Sequence, residues 1–363
     1  MVFWFFLGAL LLFFAQRLLH RLIWARGLSV ELSFDSATAV AGDDVAITER
    51  ALNRKLLPLP VLRYRYGLCR NFEQLRGKDS RSVEISRRLA APAMRSVRSR
   101  TVLHGLERGI YTVTGGEMRS QDLFFSQTEQ RPIVSRSRLT VYPRRLEAQL
   151  LRLPCRQLLG AVLTRRSVQE DPFELRGIRP YESYDSMRMI NWKATARTGE
   201  LKVNQHAWTT DEALCLILDA EHGTVAQREL LIRYASSLSR VLLQRGISVS
   251  LRVNGRSCIG GREITVPAGS GSSQQTVIDE NLTQLKLNAE ALLPFAAYLR
   301  RLAGQPRTPA LPVVLSVGGS TEICDAFDAL CGSGGGYYLS LGQPAPAGSC
   351  FTVLPLAAEE AAS

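Results

Sequence analysis

Residues 190–201 read INWKATARTGEL, and Asp185 and Arg188 stand just upstream of them. This short region concentrates the side chains that do chemistry: an acid, Arg188, Lys193, Arg197 and the indole of Trp192. Catalysis needs a nucleophile beside a base, or paired carboxylates with a polarising group. The region supplies one acid, Asp185, and no Cys, and His206 is isolated. A nucleic-acid grip sets Arg and Lys on phosphates and stacks Trp192 or Tyr181 on bases. Those residue types are present, but no common nucleic-acid-binding module surrounds them. A structural clasp fits best. Asp185 and Arg188 are three apart, within reach of each other on a helix. Arg holds a carboxylate in a fixed bidentate geometry. Trp192 is a large apolar plate with one N–H to satisfy, and Arg197 follows a little over one turn later. A buried Arg–Asp network under a Trp192 lid would lock this connector against the domain that follows. A second role for its outer face, as a docking site for a partner, stays open.

The elements that must position these residues follow from periodicity. At 363 residues the chain is long enough for two ordinary domains. Its 45% hydrophobic and 21% charged residues exclude a disordered chain. Residues 28–142 alternate apolar and polar residues in short runs such as LSVELSF and LPVLRYRYGL, separated by turn signals about every ten residues. They are expected to form an all-β, sandwich-like domain. The many Arg residues at alternate positions suit a solvated strand face. Residues 143–212 form a connector, whose opening helix RRLEAQLLRLPC is expected to stop at Pro154. Residues 213–357 read differently. ALCLILDA and LPVVLSVG are continuous apolar runs, as expected of strands buried on both faces of a parallel sheet. Between them lie an amphipathic helix ended by Gly246, a hairpin, a flexible break at GSGSSQQ and a largely helical stretch. Helices alternating with strands specify a three-layer α/β domain. The tail 358–363 is expected to be disordered.

Charge and cysteines narrow the partners. Residues 1–212 hold 34 Lys+Arg against 21 Asp+Glu, and residues 213–363 hold 11 against 12. The excess therefore lies wholly in the first part and calls for an anionic partner, with lipid headgroups the simplest. Seven scattered Cys without a CxxC pair form neither a disulfide framework nor a zinc site. The first fifteen residues, MVFWFFLGALLLFFA, carry no charge, and apolar residues continue to Trp24. We expect residues 1–27 to be a single transmembrane anchor, with Arg17 and Arg21 reaching the headgroups. No Lys or Arg precedes the run and no small-residue cleavage site follows it, which disfavours a signal peptide. Arg17, Arg21 and Arg26 follow the span, so the bulk of the chain is expected on the cytoplasmic side of the cell (inner) membrane.

The connector FELRGIRPYESYDSMRMINWKATARTGELKVNQ resembles the signature of the domain-of-unknown-function family 58 (DUF58). The matching positions are Phe173, Arg176, Gly177, Arg179, Tyr181, Asp185, Arg188, Ile190, Trp192, Ala196 and Arg197. Upstream, RGIYTVTGGEMRSQDLFF is similar to another family segment. Three features depart from the pattern: one hydrophobic span instead of two, Tyr184 where the family has Gly, and Leu123 where it has Pro. The resemblance implies a membrane-anchored protein with a von Willebrand factor A-like α/β domain. It also implies association with MoxR-type AAA+ ATPases and other membrane proteins. It brings no enzymatic reaction.

Von Willebrand A domains hold Mg²⁺ through D-x-S-x-S after the first strand, because a hard cation wants oxygen ligands. This chain has Asp219 in place, but Glu221 and Gly223 stand at the hydroxyl positions, and Gly318-Gly319 ends the later strand. The site is read as degenerate, without metal or cofactor, though Glu221 or His222 could restore some coordination. The expected function is a scaffold or adaptor that binds protein partners through the loop from Asp219 to Thr224, and no nucleic acid. The rivals are a membrane-associated hydrolase, which needs Asp219, Glu221, His222 and Asp185 in one cleft, and a nucleic-acid binder, which needs one contiguous basic patch.

Overall fold

The N-terminal apolar run forms α1 (Val2–Ile23). Phe3, Trp4, Phe5, Phe6, Leu10, Leu11, Leu12 and Phe14 are all exposed, so the helix is apolar around its circumference up to Ala15. The uncharged stretch ends at Gln16 and Arg17. Among the described residues no helix is long and apolar enough to cross a membrane. The computed structural model describes residues 2–23, 27–56, 58–71, 73–74, 84–121, 128–166, 170–182, 187–208, 213–287, 289, 291–306, 310–342, 346 and 350–357. The tail at 358–363 lies outside them.

The chain divides into two units. The first comprises residues 1–144 together with 257–261 and 279–286. Alternation of apolar and polar residues builds its strands: β1 (Leu28–Phe34), β2 (Thr38–Val40), β3 (Val45–Asn53), β4 (Leu59–Arg70), β5 (Glu73–Gln74), β6 (Glu84–Ala91), β7 (Arg95–Leu103), β8 (Gly109–Gln121), β9 (Thr128–Ile133) and β10 (Arg138–Tyr142). One sheet has the order β1-β3-β7. The other runs β2-β10-β8-β4-β5, with β6 also on β4 and β9 also on β8. All pairs are antiparallel except β2 with β10. Side chains of both sheets meet in one core that includes Val30, Leu32, Ile47, Leu62, Val113 and Leu139. A bulge at Tyr66/Gly67 brings β4 so close to β8 that a Cβ on Gly116 would lie 1.7 Å from the Arg65 carbonyl oxygen. Only glycine fits there.

One core position of β3 is charged. Glu49 is 1% exposed and accepts hydrogen bonds from Tyr64 Oη, from Tyr66 Oη at 2.6 Å and from Thr101 Oγ1 at 2.7 Å. Arg87 Nε lies 3.8 Å from it. A buried carboxylate is tolerable only when such donors satisfy it. Burial and the neighbouring carboxylate push both tyrosine hydroxyls well above their usual ionisation range. Arg108, 2% exposed, likewise spends Nη1 on the carbonyls of Leu282 at 2.6 Å and Leu285 at 3.2 Å.

The second unit comprises 145–256, 262–278 and 287–363. It opens with α2 (Ala148–Arg166), which does not stop at Pro154. Leu151, Cys155, Leu158 and Val162 are buried at helical spacing, and α2 packs on a later helix and strand, which outweighs the lost backbone N–H. Next come β11 (Glu170–Pro180), α3 (Trp192–Thr198) and β12 (Lys202–Trp208). They are followed by β13 (Ala213–Leu218), α4 (Val225–Gln244), β14 (Ser248–Arg256) and β15 (Glu263–Gly269). The series ends with α5 (Gly271–Gln284), whose residues from 279 onward belong to the first unit, α6 (Phe295–Ala303), β16 (Leu311–Ser316), α7 (Thr321–Cys331), β17 (Gly336–Leu341) and β18 (Phe351–Leu356). GSGSSQQ is thus no flexible break: α5 starts inside it, and Gln274 Nε2 ties it to the Val249 carbonyl at 2.9 Å. Six strands form a sheet of order β15-β14-β13-β16-β17-β18, parallel except for the β14–β15 hairpin. Ile217, Val314 and Tyr338 pack with α6 and α7. The alternate residues Leu216, Leu218, Val313 and Leu315 are equally buried, and α4 packs against β13, β14 and β16. The continuous apolar runs thus reflect burial on both faces.

Glu49→Ala strands Tyr64 and Tyr66 without an acceptor, and is expected to cost about 3 kcal/mol of unfolding free energy. Tyr64→Phe, which removes one of several donors, should cost about 1 kcal/mol. Chemical denaturation of the purified variants reads both, and a Glu49→Ala midpoint equal to wild type would remove this role from the carboxylate.

Candidate functional site at the carboxyl end of the α/β sheet

Chain order reverses at β13. The chain leaves it for β14 on one side and later returns to β16 on the other. In an open parallel sheet the crevice at the carboxyl ends of two such strands is where ligands bind. Asp219 directly follows β13 and Ser316 ends β16, and the two side chains meet there, Ser316 Oγ donating to Asp219 Oδ2 at 2.5 Å. Asp219 is 1% exposed and accepts three further hydrogen bonds. The backbone N–H groups of Glu221 and His222 donate to Oδ1 at 2.9 and 3.3 Å, and His222 Nδ1 reaches Oδ2 at 2.9 Å. The hydrogen bond to the Asp219 carboxylate raises the His222 pKa, and partial burial opposes it. Gly223 completes the turn with φ +85°, and a Cβ there would meet Val317 Cγ2 at 2.8 Å.

Glu221 turns the other way. Its Oε2 accepts the Phe295 N–H at 2.6 Å, at the first turn of α6, whose N-cap Pro294 has no side-chain donor or acceptor to offer. A carboxylate at a helix N-terminus is favoured by the exposed N–H groups and the helix dipole. Ala220 is held at both ends of its peptide. Its N–H donates to Asn254 Oδ1 at 2.7 Å, and its carbonyl accepts from Arg228 Nη1 at 2.9 Å. Asn254 Nδ2 and Arg228 Nε are buried without a hydrogen-bond partner among the described residues. Beside this loop opens a cleft of about 620 Å³, lined by Ala220, Glu221, Arg228, Leu287, Ala289, Ala291, Leu293 and Pro294.

Asp219, Glu221 and His222 do converge, with ligand atoms within 4.8 Å of one another. Most of their ligand atoms are already engaged, and Glu221 Oε1 and His222 Nε2 are the exceptions among the described contacts. The Asp219 carboxylate carries four hydrogen bonds, and one Glu221 oxygen is committed to α6. A Mg²⁺ ion needs a near-octahedral set of open oxygens, and this arrangement does not fit one. It neutralises Asp219 from inside, through His222 and neutral donors. Nor is it a nucleophile with its base. In a Ser–His–Asp triad the imidazole stands between hydroxyl and carboxylate, whereas here Ser316 and His222 both point at the same acid. Ser316 and Asn254 escaped sequence reasoning, and the signal for each was a polar residue inside an apolar strand run.

The signature residues form a different structure. β11 and β12 pair antiparallel, and Ile190 bridges to Val203 on the far side of β12. Gly177 sits at a register shift in β11, and Tyr181 N–H donates to the Leu201 carbonyl at 2.9 Å. Arg179 is partly buried and donates to the Pro180 carbonyl at 3.2 Å. Asp185 lies outside the described residues, as do the side chains of Arg176, Arg188 and His206, so the Asp185–Arg188 pair is not among the contacts described. The Trp192 lid is corrected: Trp192 is 67% exposed, and α3 buries none of its residues. The reason is local. Asn191 Oδ1 caps the helix on Ala194 N–H, and Thr195 Oγ1 accepts Lys202 N–H, so α3 rests on its 194/195 side and turns Trp192 and Arg197 outward.

The model of the DUF58 family, described as a protein of unknown function, matches residues 177–292. No curated protein matches the chain. Among solved structures it is similar to a beta-glucosidase from Listeria innocua, at 12% identity and a TM-score of 0.18, over 30% of this chain and 16% of that one. It is also similar to the sporulation control protein Spo0M from Bacillus subtilis, at 9% identity and a TM-score of 0.18, over 43% of this chain and 58% of that one. The chain covers less than two thirds of either, and likenesses this slight bear on neither fold nor function.

His222 ionises at a higher pH in the folded chain than when unfolded. Its stabilisation is therefore fully present below its unfolded pKa of about 6.5 and is lost as pH rises through the folded value. The stability gap between wild type and His222→Gln should be widest near pH 6 and narrow toward pH 9, as read by chemical denaturation across that range; a gap independent of pH would separate His222 from Asp219. Trp192→Ala, at an exposed position, should change stability by no more than about 0.5 kcal/mol. A thermal melt tests this, and a large loss would return Trp192 to a buried role.

Proposed function

We propose that this chain, whose residues 177–292 match the DUF58 family model, is a membrane-attached adaptor whose α/β unit presents a fixed surface to protein partners. The observation that carries this is the saturated Asp219 carboxylate. At the switch point, where an enzyme would keep an acid, base or nucleophile free for substrate, these groups are spent on one another and on backbone N–H groups. Their product is a rigid loop, 219–224, tied to β16 through Ser316 and to α6 through Glu221. Rigid loops at the end of a sheet suit recognition, because little entropy is lost on binding. The strand order and the position of Asp219 support a von Willebrand factor A-like reading of this unit.

Attachment to the bilayer rests on α1. A helical stretch that is apolar all round, as residues 2–15 are, needs an apolar surrounding, and Phe and Trp along it suit the acyl and headgroup region. Arg17, Arg21 and Arg26 behind it favour a cytoplasmic position for the remainder. The partner implied by the family resemblance is a MoxR-type AAA+ ATPase.

Two measurements test the proposal. The full chain should sediment with membranes and resist high salt, and a chain lacking residues 1–26 should be released. Affinity capture of the full chain from native membranes should recover the ATPase. If no protein is recovered, while the purified chain hydrolyses esters, peptides or nucleotides, an enzyme replaces the adaptor.

A further inference from the structure

Among the described residues nothing covers the outward face of α3. The helix is seven residues long, WKATART, with a side-chain cap at Asn191 and a left-handed cap at Gly199. Its capped ends make it a formed helix, yet it buries nothing. Trp192 and Ala196 lie one turn apart on one exposed line, and Lys193 and Arg197 on the adjacent one. Among the described residues neither cation makes an ion pair, and α3 contains no acid. Like charges spaced four apart weaken an isolated helix, and an exposed Trp forgoes the burial that makes it useful in a core. Both costs find a return only when something binds.

We infer that the Trp192/Lys193/Ala196/Arg197 face of α3 is a docking site for an acidic segment of a protein partner that carries an apolar side chain. Resting on the adaptor reading, this names where the partner binds and by what chemistry. Trp and Arg are the residues that most often anchor interfaces. The apolar side chain would cover the indole while flanking carboxylates reach the ammonium and the guanidinium. Size and surroundings favour a segment over a lipid surface. Seven helical residues span about 10 Å, the reach of one short peptide contact. Glu200, just beyond α3, is exposed and its carboxylate is held by Lys202 Nζ at 3.1 Å, so the cationic surface left to a partner narrows to Lys193 and Arg197.

The test uses the full chain in nanodiscs of zwitterionic lipid. The probe is a fluorescein-labelled peptide of eight Glu around one central Leu, with the all-Gln analogue as control. Fluorescence anisotropy should show binding of the Glu peptide only, weakening as salt rises from about 50 to 300 mM. Trp192→Ala should weaken it about 30-fold, the loss typical of an interface anchor. Lys193→Glu with Arg197→Glu should abolish it. Both variants change exposed positions, and a thermal melt confirms that they fold. Absence of binding, or binding that all variants share, overturns the site. So does a Trp192-dependent cosedimentation with phosphatidylglycerol vesicles in place of peptide binding, which would make α3 a lipid contact. Capture from native membranes separates this from the broader reading. Partner recovery that the variants leave intact sinks the α3 site and keeps the adaptor. Peptide binding by a chain that captures no protein sinks the adaptor and keeps the site.

Discussion

The α/β unit depends on one carboxylate being satisfied where the sheet's chain order reverses. Asp219 sits at 1% exposure between two parallel strands. An ionised acid in that position would be prohibitively costly without donors. The chain supplies four, from Ser316, from two backbone N–H groups and from His222. Each donor fixes a piece of structure. Ser316 joins the ends of β13 and β16. The two N–H groups fold residues 219–222 back on themselves, and His222 closes the turn. Because that loop is held, Glu221 can reach the first turn of α6 and one wall of the cleft is set.

The β unit solves the same problem with other residues. Glu49 is buried in a sheet core and satisfied by Tyr64, Tyr66 and Thr101, with Arg87 close by. In both units a buried acid collects hydroxyl donors from strands that are distant in sequence. Such networks contribute little net stability when complete and cost much when broken. Their value lies in register: a strand shifted by one residue would turn its hydroxyl away from the acid.

α3 contrasts with these buried networks. Where Asp219 and Glu49 turn their charge inward and neutralise it, α3 turns Trp192, Lys193 and Arg197 out and leaves them without partners among the described residues. Part of the DUF58 signature region therefore builds structure, as with Ile190 and Val203 in the small sheet, and part is offered to solvent.

Periodicity alone determined most of the elements. Alternation in LSVELSF and unbroken apolar runs in ALCLIL and LPVVLS report burial on one face or two, because a strand's side chains point alternately to its two faces. The signature spacing pointed to the family whose model matches residues 177–292. What periodicity could not reveal was which polar residues meet. Ser316 is 97 residues from Asp219, Arg108 is 174 from Leu282, and Tyr64 lies 15 residues from Glu49 across a sheet packing. Pro154 stays inside α2 because buried side chains on that helix outweigh a local rule, and Trp192 faces outward because α3 rests on Ala194 and Thr195. Local pattern decides whether a segment is helix or strand and which side is apolar. Whether a Trp becomes a lid or a docking plate, and whether an acid is free or spent, depends on contacts between distant segments, and only the tertiary structure decided those.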